Sequence, residues 1–200
     1  MSGLRIETFN ADMTAEAARM LARAFATNPL HVAAFGTDQL AKNEAFFRVG
    51  LTMMKGPRLV ALDGSRILGL IHWVDAPRCQ FSALEKLRVT PAMIGGFGVR
   101  SALRVSAWLS GWSRQDPDRP HLHLGPVGVE PAAQGRRIGH QLMERYCQQL
   151  DRGVQEGYLE TDRAENVAFY ARFGFETAAE IPVLGVRNYL MSRKARPTST

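Results

Sequence analysis

Residues 127–139, Val-Gly-Val-Glu-Pro-Ala-Ala-Gln-Gly-Arg-Arg-Ile-Gly, have the composition of an anion site. The apolar run ends at Val129, and Glu130-Pro131 breaks it because proline cannot donate to a strand ladder. Gln134 to Gly139 then opens a helix whose first N–H groups have no intrahelical acceptor. Those groups and the helix dipole favour a negative charge. Gly135 and Gly139 let a ligand approach the backbone closely. Arg136 and Arg137 add charge suited to phosphate. Gly-Lys-Ser/Thr does not follow the turn, so it is not a Walker A loop. Gly-x-Gly-x-x-Gly is absent, so it is not a dinucleotide fingerprint.

The elements that must hold this turn are readable from periodicity. Strands are expected at Leu4–Phe9, Arg58–Leu62 and Ile67–Val74, the last two joined by Asp63-Gly64-Ser65, a hairpin signal. A helix from about Thr14 to Ala26 ends at Asn28-Pro29, and residues 38–54 form another. Residues 80–113 suggest two helices broken near Pro91 and Gly95-Gly96, followed by a loop at Asp116–Pro120. The last third reads strand (His121–Val129), helix (136–150), strand (Tyr158–Thr161), helix (163–173), then strands Phe175–Ala179 and Leu184–Arg193. Ile138, Leu142, Tyr146 and Leu150 recur at helical spacing and should face the sheet. This order implies an α/β fold in one domain, residues 1–200.

Composition narrows the class. Of 200 residues, 46% are apolar and 22% charged, which excludes a chain disordered throughout. The net charge of +6 favours anionic partners, but no Lys/Arg block marks a nucleic-acid footprint. Cys79 and Cys147 show no metal-ligand spacing, so no metal is expected, and two scattered thiols suit a reducing compartment. The start of the sequence lacks the apolar run of a signal peptide, and no stretch approaches membrane-spanning length. A cytoplasmic protein without nucleic-acid or membrane partners, monomeric or homodimeric, is the expectation.

Two blocks carry a family resemblance. Gln134-x-x-x-x-Gly139 after Val127-x-Val129-x-Pro131 resembles the cofactor motif of the GCN5-related N-acetyltransferases, Gln/Arg-x-x-Gly-x-Gly/Ala. Leu159-Glu-Thr161, Asn166-Val-Ala-Phe-Tyr170 and Arg172-Phe-Gly-Phe175 are similar to the family's later strand–helix–strand unit. These blocks and Arg187–Lys194 are closest in form to puromycin N-acetyltransferase-like members. Arg137 stands where the family usually has glycine. The resemblance implies the acyl-CoA N-acyltransferase fold: a mixed, mostly antiparallel central sheet flanked by helices on both faces. It also implies acetyl-CoA as co-substrate, with the backbone of Gly135, Arg136, Arg137, Ile138 and Gly139 on the pyrophosphate beside Gln134. Val127, Gly128 and Val129 would line the pantetheine through a distorted strand, helped by Asn166 and Tyr170.

Acetyl transfer to an amine then needs a proton donor for the leaving thiolate, donors for the oxyanion and a route for the amine proton. Tyr170 suits the first role, because a phenol stays protonated at neutral pH. Glu160, on the strand before Asn166, is the candidate base. His121 and His123 are expected to share a strand face with Val127 and Val129 at period two, and either could serve instead. Trp73, Trp108 and His123 are the candidate acceptor-binding residues. The expected reaction acetylates a primary amine of an antibiotic-like or metabolite small molecule. The alternatives are a protein or peptide acetyltransferase and a catalytically silent CoA-binding domain.

Overall fold

The computed structural model describes residues 3–196; the expected domain limits, residues 1 and 200, lie outside the described residues. Among the described residues seven strands form one sheet: β1 (Arg5–Thr8), β2 (Arg58–Asp63), β3 (Arg66–Asp75), β4 (Leu122–Val129), β5 (Gly157–Thr161), β6 (Glu176–Val183) and β7 (Val186–Arg193). Their order is β1-β2-β3-β4-β5-β7-β6. Every pairing is antiparallel except β4–β5. A parallel pair needs a crossover, and helix α6 (Ile138–Gly153) supplies it. The architecture is the mixed, mostly antiparallel α/β sheet expected from the sequence.

Strand β3 is buried at every residue from Ile67 to Val74, because helices cover both its faces. On one face Ile138, Leu142, Tyr146 and Leu150 of α6 pack on Ile71, Trp73, Leu122 and Leu124, as their spacing predicts. The Tyr146 hydroxyl donates to the Leu122 carbonyl at 2.6 Å and pins α6 to β4. Helix α7 (Ala164–Ala171) joins that face through Tyr170. On the other face α1 (Thr14–Ala24) and α3 (Leu40–Met53) pack Leu21, Phe47 and Leu51 against Val60, Leu62 and Leu70. Helices α2 (Pro29–Phe35), α4 (Ala83–Phe97) and α5 (Val99–Ser113) build a further cluster around Leu30, Phe97 and Trp108.

Three local expectations change. Asn28-Pro29 ends one helix but also starts α2, with Pro29 at its first position, where the missing N–H costs nothing. The α2 cap is Asp162, whose Oδ2 accepts the Leu30 N–H at 2.8 Å while Oδ1 accepts from Asn28 Nδ2 at 3.2 Å. A cap 132 residues away leaves no local sequence signal. Helix α4 begins with a Ser82/Glu85 capping box, runs through Pro91 and Gly95-Gly96, and ends at Gly98, whose φ is 81°. The carbonyl that Pro91 cannot serve belongs to Leu87, which is 70% exposed, so water can take it. Strand β6 continues to Val183 and turns back through Leu184-Gly185, both at positive φ, so β7 begins at Val186.

Candidate active site

Strand β4 carries a bulge at its centre. Val127 pairs with Ile71, but Leu124 pairs with Trp73, so one extra residue is inserted on β4. Gly125-Pro126 sits in the insertion, and a Cβ at Gly125 would lie 2.2 Å from His72 Nδ1. The bulge corrects one sequence expectation. His123 pairs with Val74 and Val127 with Ile71, and neighbouring strand residues face opposite ways. His121 and His123 therefore lie on the opposite sheet face from Val127 and Val129, which pack with the α6 core. A one-residue slip reverses every side chain beyond it.

The same strand parts from its parallel neighbour. Strands β4 and β5 pair only at Leu122–Gly157 and His123–Tyr158. Beyond that point β4 stays bonded to β3 while β5 follows β7. The Glu130 N–H donates to the Leu68 carbonyl at 2.9 Å. By strand alternation the peptide groups of Val129 and Val127 point to the other edge, into the β4–β5 gap. Gly128 lets β4 sit close under α1, since a Cβ there would meet Leu21 Cδ2 at 2.5 Å.

The gap leads to the N-terminus of α6. The Gln141 N–H bonds the Arg137 carbonyl, so the N–H groups of residues 138–140 precede the first intrahelical bond. Gly135 has φ 80° and Arg137 φ 60°, ψ 17°. Arg137 thus holds the left-handed conformation that glycine adopts more readily, at a cost of about 1–2 kcal/mol for an L-residue. The departure from the family's glycine changes the residue without abolishing the turn. Gln134 Nε2 lies 3.4 Å from the Val129 carbonyl, and Arg136 lies 3.5 Å from Asp63. Beside the loop is a cavity of about 320 Å³ lined by Asp63, Arg66, Leu68, Glu130, Ala133 and Arg136. Its Glu130 is held by Arg23 of α1 through contacts of 2.6 and 3.1 Å.

Helix α7 brings Asn166 and Tyr170 to the end of β5. Asn166 Nδ2 donates to Thr161 Oγ1 at 3.2 Å. Tyr170 packs edge-on to Phe169 and Phe175. Burial, and secondarily the charge of Asp162, raises its phenol well above the ordinary range, so the proton stays on at neutral pH. Among the described residues no protein acceptor engages that hydroxyl.

Glu160 projects from β5 on the opposite face. Its Oε2 accepts from His123 Nε2 at 2.9 Å, while Oε1 is buried without a partner. Burial pulls the His123 imidazole down, but the Glu160 charge and the Asp116 hydrogen bond outweigh it and raise it well above its usual value. Sequence reasoning missed His72. Its Nε2 donates to the Lys55 carbonyl at 2.6 Å, which leaves a buried Nδ1 lone pair facing the bulge. Burial lowers His72 to about 4, so it is neutral at pH 7. Only its position opposite an inserted residue distinguishes it, and pairing reveals that.

The structure does not assemble the expected acceptor pocket from Trp73 and Trp108. Trp73 is a core residue 5.8 Å from Tyr146, on the face away from His123. Trp108 is buried with Leu30, Phe97 and Trp112, and its Nε1 has no acceptor. The aromatic spacing that suggested a pocket belongs to two separate cores.

Residues 104–177 match the family model described as "Acetyltransferase (GNAT) domain". A structure described as histone acetyltransferase HPA2 and related acetyltransferase, from Corynebacterium glutamicum, aligns over 100% of both chains at 22% identity, TM-score 0.73. Arylalkylamine N-acetyltransferase 2 from Aedes aegypti aligns over 97% of this chain and 100% of its own, at 16% identity and TM-score 0.66. A GNAT family acetyltransferase from Brucella melitensis, solved with acetyl-CoA, covers 100% of this chain and 93% of its own, at 19% identity and TM-score 0.53. The fold is thus that of the GNAT acyl-CoA N-acyltransferases. The matched segment contains the loop, the β4–β5 gap and α7.

Proposed function

We propose that the protein transfers the acetyl group of acetyl-CoA to a primary amine of a small molecule, by direct attack within a single acetyltransferase domain. The observation that carries this reading is the β4–β5 gap, which runs from the α6 N-terminus past the peptide groups of Val127 and Val129, where β5 no longer pairs with β4, to Tyr170. The N–H groups of Gly135, Arg136, Arg137, Ile138 and Gly139, with Gln134 at their edge, bind the pyrophosphate. Val127, Gly128, Val129 and Asn166 hold the pantetheine arm, and a strand N–H stabilises the oxyanion.

The amine attacks the thioester carbonyl, the tetrahedral intermediate collapses, and Tyr170 gives its proton to the departing CoA sulfur. Glu160 receives the amine proton, directly or through water, at Oε1. A buried, unpaired carboxylate oxygen selects a basic acceptor, since an ammonium or amine is the partner it lacks. Arylalkylamine and agmatine acetyltransferases are among the structural neighbours, and a small amine agrees with both names. The ordered residues Asn166, Tyr170, Arg172 and Gly174 favour the puromycin N-acetyltransferase-like branch. Two free thiols fit a cytoplasmic setting.

Calorimetry with acetyl-CoA, then CoA-thiol release over a panel of amines, tests the reading. We expect saturable binding and release that depends on a small primary amine. Heat-silent titration at millimolar acetyl-CoA would remove the cofactor claim. Release with lysine-bearing peptides alone would replace the acceptor class.

A further inference from the structure

Four side chains that no short motif links converge beside the candidate site. Cys79 precedes α4, Asp116 follows α5, His121 immediately precedes β4 and His123 is its second residue. Each offers one ligand atom, and these atoms all lie within 4.8 Å of one another. His121 Nε2 and His123 Nδ1 each stand 3.1 Å from Asp116 Oδ1, and the Cys79 thiol donates to Asp116 Oδ2 at 3.1 Å. The carboxylate is nearly sealed, with 4% of its side chain exposed, and His121 is fully enclosed.

The outer nitrogens of both imidazoles are already committed. His121 Nδ1–H donates to the Arg119 carbonyl at 2.9 Å, and His123 Nε2–H donates to Glu160 at 2.9 Å. A carbonyl and a carboxylate can only accept, so each ring's proton is fixed on its outer nitrogen. Whenever a ring is neutral, its inner nitrogen is a lone pair aimed at a carboxylate. That repulsion needs two further protons or one cation between them. A carbonyl or carboxylate behind each imidazole is also the outer-shell arrangement of metal-bound histidines. Thiolate and carboxylate together carry two negative charges, which matches a divalent ion.

We propose that Cys79, Asp116, His121 and His123 form a tetrahedral zinc site. Zinc takes thiolate, imidazole and carboxylate ligands at about 2.0–2.3 Å, which places them roughly 3.4 Å apart at tetrahedral angles. The spacing in the structure brackets that value, so binding requires only sub-ångström shifts. Four protein ligands leave no open position, so the ion holds structure and the acetyl transfer is not routed through it. It staples both ends of the α4–α5 excursion to β4. With zinc on Nδ1, His123 keeps Nε2–H toward Glu160 Oε2, and Glu160 Oε1 stays buried without a partner. Cysteine spacing carries no signal for such a site: Cys79 and Asp116 are 37 residues apart and meet only in the fold.

The test uses the full chain, stripped with a chelator and titrated with zinc chloride against a chromophoric competitor. We expect one zinc per chain. Cobalt(II) in its place should give a thiolate-to-metal charge-transfer band. Zinc should also shield Cys79 from iodoacetamide, read by peptide mass mapping. Cys79→Ser and Asp116→Asn should each weaken binding by more than the roughly 10–100-fold typical of outer-shell losses, with the folded circular dichroism spectrum retained. Wild-type protein that takes up no zinc from a micromolar solution overturns the proposal, independently of any variant. So does a Cys79→Ser protein that binds as tightly as wild type, or a cobalt complex without the thiolate band.

Discussion

The segment from β4 to α7 and the excursion from Cys79 to Pro120 differ in how their residues reach their sites. In the first, the chemistry is local: Gln134 to Gly139 forms one turn, and Asn166 and Tyr170 share one short helix. In the second, the meaningful neighbours are remote. Cys79 meets Asp116, Trp112 Nε1 donates to Asn188 at 3.0 Å, and Arg104 bonds the Ala33 carbonyl at 2.7 Å. A binding site made of backbone N–H groups and a helix end survives wide sequence change around it. A site made of side chains from distant segments is visible only once the sheet has set its register.

That contrast can be strained experimentally, starting with the largest effect. Tyr170→Phe removes the proposed proton donor but keeps the ring, so turnover should fall roughly 10²–10³-fold. Acetyl-CoA affinity by calorimetry should stay within a factor of about two to three. An unchanged turnover would show that the cofactor half binds without contributing the acid.

Acid should attack the helical half through His31. Burial holds this histidine at about 4 despite its Asn43 hydrogen bond, while the unfolded value is near 6.5. The unfolded chain then binds the extra proton between these values, so stability is full above pH 6.5 and falls as pH drops toward 4. The loss should reach about 3 kcal/mol from this group at pH 4. His31→Gln should flatten the pH dependence of the urea midpoint, and equal slopes in both proteins would dismiss His31 as the origin.

Asp162 joins the two regions by capping α2 from the end of β5. Asp162→Ala should cost about 1 kcal/mol in urea unfolding, in line with lost helix caps. An unaltered midpoint would mean that water replaces the cap. The smallest effect belongs to Arg137. Arg137→Gly relieves the positive φ but frees the unfolded chain, for a net gain of about 0.5–1 kcal/mol. A rise of a few degrees in Tm with acetyl-CoA affinity within about tenfold is expected. A larger loss of affinity would assign the guanidinium a direct phosphate contact.

The sequence by itself determined the sheet-facing row of α6, the hairpin at Asp63-Gly64, the turn from β4 into α6 and the placement of Tyr170 four residues after Asn166. Each follows from neighbours within about one helical turn or one strand, where periodicity and backbone chemistry act directly. Tertiary structure alone decided the rest. An insertion at Gly125-Pro126 turned His121 and His123 away from Val127 and Val129, since strand faces invert with each residue added. Packing sent Trp73 and Trp108 into separate cores, because aromatic spacing does not state which layer a residue joins. The fold also gathered Cys79, Asp116, His121 and His123 around one point, a meeting set by the pairing of β3 with β4 and the return of the α4–α5 excursion.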